Sequence, residues 1–560
     1  MAASAQWTGQ PRIKGGSESV QMALLTASMI GLQFCWGTEM TYASPYLLSL
    51  GLSKSKLSLV WIAGPLSGLI MQPVVGMISD RSKSKYGRRR PFMVAGTVAV
   101  FVCLLVLGWT EELVGWFVQD RERRRKLAIA VAVVDIYVLD FVINIAQSTC
   151  RALVVDTLPI EKQQLGSAWC SRMTGIGHML MYALGALDLN ALVGNFLGDT
   201  QFKKVCAIAA VAMVIAQGTS CWAVTERVYL GDATSAGTST GITTILRQIY
   251  STTMNVPERI QAICMVQFWS WIGWFPFLFY GSTWVGEIYL RHEKTPMSGG
   301  DALTEVGKAG SAAYLAFAII SFASSIVLPW LVQSPDQDDK PGYTPRPPQG
   351  LQSAVAVARK SKPTLLTAWM LACLVFAASM VFAPWVQSVR SATIIIALCG
   401  VPFAVGGWAP GTFLGIEVNR MNTSIPMSQI RKVSSRRSSN ESLDTSTLSS
   451  QSSHSLPRTL YLRHSSNAPA IDNTSTGELS GIYLGILNIY TTLPQFVGTG
   501  ISWLVFSILE PGKSPELATE AHPDEHHSKE AVSGIAVCLF IGALSALVAA
   551  WATRRLKLAG

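Results

Sequence analysis

Long apolar stretches alternate with short polar segments along this chain. They fall at residues 20–48, 57–78, 91–110, 127–149, 166–189 and 205–224, and again at 260–285, 309–333, 365–387, 391–416, 480–508 and 531–553. A helix needs about 20 residues to cross the hydrocarbon of a bilayer, and within lipid only a helix or a closed barrel satisfies its own backbone. Each stretch is therefore expected to be a membrane-spanning helix. The polar segment 225–258 divides the twelve into two sets of six. The expected architecture is all-α and integral to the membrane, with two six-helix halves around a central cavity. The expected boundaries are a cytosolic tail over 1–19, an N-terminal half over 20–224, a central cytosolic loop over 225–259, a C-terminal half over 260–553 and a tail over 554–560.

Basic residues in short loops set the orientation. The loop after the second span carries Asp80, Arg81, Lys83, Lys85, Arg88, Arg89 and Arg90, and should be cytosolic. Parity then places both termini, the central loop and the 334–364 loop on the same side. One loop objects: residues 120–126 hold Arg121, Arg123, Arg124, Arg125 and Lys126 yet fall outside. The other loops outvote it. The Ser/Thr-rich segment 418–479, between spans ten and eleven, reads as a disordered cytosolic loop. Its Arg436-Arg437-Ser438-Ser439 offers a kinase a target; a plain solvated spacer is the simpler reading. Asn422-Thr423-Ser424 and Asn473-Thr474-Ser475 match the glycosylation pattern but face the cytosol, where they stay unmodified.

Composition agrees with a lipid-embedded chain. Of 560 residues, 49% are hydrophobic and 14% charged, against about 25% charged in soluble domains. The net charge of +10 follows from basic cytosolic loops, and its short clusters between apolar runs argue against a nucleic-acid partner. The ten cysteines show no metal-ligand spacing and read as small apolar filler. No nucleophile elbow, phosphate loop or metal cluster points to an enzyme or a cofactor. The polar N-terminus carries no cleavable leader, so the first span would serve as insertion signal.

Charged groups inside a span are costly and mark function. Span four holds Asp140, with Asn144, Gln147 and Arg151 on the same helical face; Asp135 lies on another. This polar stripe should face a watery cavity. A carboxyl at low dielectric is readily protonated near neutral pH, so Asp140 suits a group that binds and releases a proton. The other reading is an aspartate held permanently in a helix–helix hydrogen bond. Arg151 lies about 16 Å along an ideal helix from Asp140, too far to pair with it. It would bind substrate hydroxyls, meet an acid of another helix, or snorkel to the interface. Span one holds Glu39, a second candidate for protonation or hydrogen bonding, near Gln33 and Trp36. Span seven holds Gln267 and Trp274, and span eleven Asn488 and Gln495. Amides, acids and planar rings suit a polyol; the same residues also serve packing and helix–helix contact. The loop motif Gly76, Asp80, Arg81, Gly87, Arg88, Arg89, Arg90, with Asp156 at the end of span four, reads as a cytosolic gate in which Gly76 permits close helix contact.

At these residues the chain resembles the sucrose/H⁺ symporter family of the major facilitator superfamily. The resemblance rests on Gly64-Pro65-Leu66-Ser67-Gly68, Gln72-Pro73-Val74-Val75-Gly76, Ser79-Asp80-Arg81 and Gly87-Arg88-Arg89-Arg90-Pro91-Phe92. It continues through Leu139-Asp140, Cys150-Arg151-Ala152-Leu153, Trp274-Phe275-Pro276-Phe277-Leu278, Glu287-Ile288-Tyr289, Gly485-Ile486-Leu487-Asn488 and Pro494-Gln495. It implies a twelve-helix major-facilitator fold and import of sucrose or a related α-glucoside with a proton. It also implies that Asp140 is the family's buried acid, serving proton and sugar, and Arg151 its essential arginine. Lys54 stands where plant members have histidine. Glu39 stands where they have glutamine, as in the animal branch. These departures, with the long loop before span eleven, resemble a fungal-type member with a broader, maltose-like range. The expected partners are a disaccharide, protons and membrane lipid. The expected location is the plasma membrane, with a vacuolar or other organelle exporter, or a non-transporting sugar sensor, as alternatives.

Overall fold

The computed structural model describes residues 6–80, 82–159, 162–231, 256–293, 302–333, 362–423, 476–512 and 533–558. Among them, eleven helices are long and apolar enough to cross a membrane. Span one runs over Glu18–Ser49, span two over Lys54–Asp80, span three over Arg90–Gly108, span four over Arg121–Thr157 and span six over Gln201–Ala223. Span seven occupies Glu258–His292, span eight Ala302–Pro329, span nine Leu365–Trp385, span ten Val389–Glu417, span eleven Gly485–Leu509 and span twelve Gly534–Leu556. The twelfth crossing helix, span five, is Gln163–Ala186. Gln163, Gln164, Arg172 and His178 lower its averaged hydropathy below that of the other eleven, and it packs between spans one and eight.

The apolar faces look outward where lipid would lie. Val94, Val98 and Val102 of span three recur one turn apart and are about half exposed. Val134 and Val138 do the same on span four, on a different face from Asp140.

Several boundaries differ from the expected ones, each for a local reason. Span four begins at Arg121 because Asp120 caps it, its carboxylate accepting from the Arg123 amide at 3.1 Å. The helix thus carries the basic outer loop as its first turn. Span one is interrupted by a π-helical turn at Glu39–Ala43, a wider turn frequent at functional positions. The helix of span ten reaches Thr423 and that of span eleven starts at Thr476. The ends of the 418–479 segment are therefore helical rather than disordered. Residues 424–475, with the kinase target Arg436–Ser439 and Asn473, lie outside the described residues, as does Arg81. Within the 1–19 tail, Gln6–Thr8 pairs antiparallel with Val228–Gly231, and Arg12–Ile13 with Val224–Thr225. The start of the central segment is thus tied under the first half.

One buried acid organises this end of the bundle. The carboxylate of Glu226, 8% exposed, accepts from the backbone amides of Arg88, Arg89 and Arg90 at 3.0, 2.9 and 2.8 Å. These are the free donors at the start of span three, where an anion is favoured. Gly87, at φ +102°, makes the approach possible, since a Cβ there would lie 2.6 Å from Glu226. Glu226→Ala leaves three amides without this acceptor and should cost about 1–3 kcal/mol, read as a lower melting temperature of the detergent-purified protein. Glu226→Gln should lose less; an unchanged melting temperature for the alanine variant would contradict the assignment.

Candidate functional site: a buried acid at the seam of two halves

Asp140 lies 1% exposed in span four, and neither carboxylate oxygen has a hydrogen-bond partner among the described residues. The permanent helix–helix hydrogen bond is therefore not made. Its surroundings come from both halves. A Cβ added to Gly64 of span two would stand 3.9 Å from Asp140 Oδ1 and 3.9 Å from the Phe279 ring of span seven. Phe279 stacks at a tilt on Trp61, centroids 4.6 Å apart. The acid thus points at the seam between the halves, away from the lipid face. One turn on, Asn144 donates to Ser67 Oγ at 2.9 Å and to the Asp140 carbonyl at 3.0 Å. Gly64 and Gly68 lack the side chains that would crowd this row; a Cβ at Gly68 would lie 3.7 Å from Asn144 Oδ1.

Glu39, at the start of the π turn, is fully buried, and both its oxygens are also without a hydrogen-bond partner among the described residues. Asp140 and Asp135 are its electrostatic neighbours, so three acids of the first half lie near one another. The sequence reading set Asp135 apart by its helical face. It is indeed turned toward Cys103 of span three, but it is as buried as the other two in kind, at 8% exposed.

The span-four stripe continues toward the cytosol. Gln147 accepts from the Trp36 indole at 2.9 Å, tying spans one and four. Arg151, at the far end, is exposed and forms no ion pair among the described residues. Because its face is that of Asn144 and Gln147, not of Val134 and Val138, this exposure is to an interior vestibule. Asn488 of span eleven donates to Gln72 of span two at 3.4 Å, a contact between halves at the vestibule. Gln495 donates back to the Thr491 carbonyl at 3.0 Å. Gln33 stands against Gly177 of span five, and Gln267 is buried. Trp274 is not presented to the vestibule: Phe277, Phe376 and Phe403 surround it at centroid distances of 5.3, 4.4 and 5.2 Å. It packs spans seven, nine and ten together. Ser67 and Gln72 were not singled out as site residues; their place in the Gly64–Gly76 motif was the available signal.

The two ends of the bundle differ in how closely the halves meet. Toward the outside the halves are bonded: Ser44 Oγ donates to the Phe279 carbonyl at 3.1 Å and Ser282 Oγ to the Met40 carbonyl at 2.6 Å. Lys308 of span eight meets Asp188 at 3.0 Å, and its ammonium holds the exposed Asp188 carboxyl below the ordinary value. At the end that carries the 80–90 loop, Gly76, Gly411, Gly415 and Gly485 have only open space where a side chain would stand. The close helix contact expected at Gly76 is therefore not made in this conformation. The expected charge cluster of the 80–90 loop is present, and among the described residues its arginine–aspartate pairs join residues of the first half. Arg88 forms a forked pair with Asp156 at 3.0 and 2.6 Å, and Arg89 binds Asp156 at 2.7 Å and also Asp80. Arg90 joins through its backbone amide to Glu226.

The comparisons with known proteins fit this arrangement. A family model described as MFS/sugar transport protein matches residues 26–274. The general alpha-glucoside permease of Schizosaccharomyces pombe is 27% identical over 96% of this chain and 93% of its own length. A sucrose transport protein of Arabidopsis thaliana is 34% identical over 48% of this chain. The chain spans little more than half of that plant relative, 56% of its length. A solved D-xylose-proton symporter superposes with a TM-score of 0.54, over 95% of this chain and 97% of that one, at 12% identity. A mutant of the nucleoside transporter NupG superposes with 0.51, over 96% and 99%, at 11% identity. At such identities the solved structures speak for the fold alone, which is that of the major facilitators. By the matched first half and the near full-length similarity to the permease, the chain is similar to the MFS/sugar transport proteins.

Proposed function

We propose that this protein imports an α-glucoside of the sucrose or maltose type together with a proton, by alternating access across the plasma membrane. The permease and the sucrose transport proteins among its relatives support the sugar class. The single observation carrying the coupling is Asp140, buried at the seam of the two halves without a hydrogen-bond partner among the described residues. Such a carboxylate is costly unless it is neutralised. Protonation from outside removes that cost and lets the halves close over a bound sugar. Once the vestibule opens inward, water reaches the seam and the proton leaves with the sugar. Asn144 and Gln147 supply amides along the exit row, and Arg151 meets hydroxyls at its mouth. Glu39 assists as a second acid. A potential of ~100 mV supplies about 2.3 kcal/mol per charge, and one pH unit about 1.4 kcal/mol. Together they support roughly 500-fold accumulation of sugar.

Uptake of radiolabelled sucrose, maltose and glucose at two external pH values, with and without a protonophore, tests the reading. Disaccharide uptake should rise at acidic pH and collapse with the protonophore; uptake indifferent to both would refute coupling. Asp140→Asn should abolish accumulation while the protein still reaches the membrane, and sugar-induced proton currents of normal size in that variant would remove Asp140 from the mechanism. Glu39→Gln should be milder, because plant members carry glutamine there; a loss as complete as that of Asp140→Asn counts against its assisting role. Arg151→Cys should react with an impermeant thiol reagent in inside-out vesicles far faster than in right-side-out ones, since it lines the inward vestibule. Equal rates from both faces would contradict that placement.

A further inference from the structure

We propose that Lys54, Glu287 and Glu510 form the outer gate of this transporter, a buried ion cluster whose rupture is the step that opens the cavity to the outside. Lys54 begins span two and belongs to the first half. Glu287 ends the α-helical part of span seven, and Glu510 follows the last turn of span eleven, both in the second half. The Lys54 ammonium meets Glu287 at 2.6 Å and also meets Glu510. All three are close to fully buried, at 2%, 1% and 6% exposed. Neighbours of the second half hold the acids in place. Arg291 reaches Glu287 at 4.0 Å, Ser533 Oγ donates to Glu287 at 3.2 Å, and the Gly534 amide donates to Glu510 at 2.5 Å.

The arrangement is lopsided in a way that matters for gating. The two acids, with their local donors, belong to one rigid half, whereas the cation between them comes from the other. Separating the halves therefore withdraws the ammonium from both carboxylates at once. A buried charge deprived of its partner is strongly unfavourable, so the cluster cannot loosen by degrees. It is either dry and closed or wet and open. Water entering an open outer mouth solvates all three groups, and that hydration offsets the lost attraction. Two packings separated by such a step make the bistable element that alternating access needs. The cytosolic cluster of Arg88, Arg89, Asp80 and Asp156 lacks this property here, because every member lies in one half.

The gate rests on the alternating-access reading but not on the coupling role of Asp140, and its test uses neither sugar nor a proton gradient. Spin labels at Phe196→Cys and Trp385→Cys, both highly exposed at the outer ends of opposite halves, report the outer separation by pulsed electron resonance in nanodiscs. Among the described residues the native cysteines are buried or partly so, and the protein without the introduced pair gives the background. Lys54→Met should move the distances to longer values, changing the closed-to-open ratio by ~tenfold or more. The charge exchange Lys54→Glu with Glu510→Lys should restore the short distances, while Lys54→Glu alone should open the mouth further. An unchanged distribution in both Lys54→Met and Lys54→Glu overturns the gate. So does a failure of the exchange to shorten the distances of Lys54→Glu, provided the protein elutes as a monodisperse peak.

Discussion

The organising constraint is the cost of an ionised carboxyl in a low-dielectric interior. A carboxylate buried there without a partner is unfavourable by several kcal/mol even after relaxation. A fold that keeps Asp140 in such a place either holds it neutral for part of its cycle or gives it water. The geometry is consistent with both in turn. The acid lies at the closed end of a row that runs down span four through Asn144 and Gln147 to the exposed Arg151. Gly64 and Gly68 keep the facing wall of span two thin, so that a small change in the seam alters access to the acid. On the proposed reading, charge state and seam closure are two views of one equilibrium, because each is unfavourable without the other.

Glu39 and Asp135 share that condition, whereas other charges among the described residues follow the opposite rule and are paired. Glu226 takes three backbone donors, Asp156 takes two arginines, and Lys54 is enclosed by two acids. Pairs made within the first half, as at the cytosolic end, stiffen a body that has to move as a unit. Pairs made between halves, as at the outer end, fix which mouth is shut. The distinction lies in which covalent half supplies each partner, and neither burial nor bond length alone would reveal it.

Much of the architecture was readable from the apolar pattern, since in lipid the length of an apolar run nearly determines its structure. Span five was readable by its apolar core despite Gln163, Arg172 and His178, which dilute any averaged hydropathy. The stripe of span four was readable for the same geometric reason, helical spacing alone placing Asp140, Asn144, Gln147 and Arg151 in a row. What stayed hidden depended on contacts between distant segments. The capping of span three by Glu226, 136 residues or more away in sequence, leaves no local pattern. Nor does the pairing of the N-terminal tail with residues 224–231. Trp274 shows the converse failure. A tryptophan two turns from Gln267 on span seven suits a sugar face, but only the positions of Phe376 and Phe403 reveal that its ring is already enclosed.

The placement of Asp140 and Arg151 on one helix has a consequence for how sugar and proton share a path. Eleven residues apart, they cannot neutralise each other, so the arginine does not suppress protonation of the acid. On the proposed reading, both line one path, and a disaccharide leaving the seam passes Asn144 and Gln147 before it reaches the guanidinium. A hydrogen-bonding ladder of this kind favours a long polyol over a short one, because only the longer molecule engages the next rung before releasing the last. On the same reading, water follows the sugar upward to the acid, and the proton is free to leave only after the sugar has begun to move. Coupling by this order needs no direct bond between the proton carrier and the arginine. It needs a rigid helix to hold the row and a seam that admits water from one side at a time.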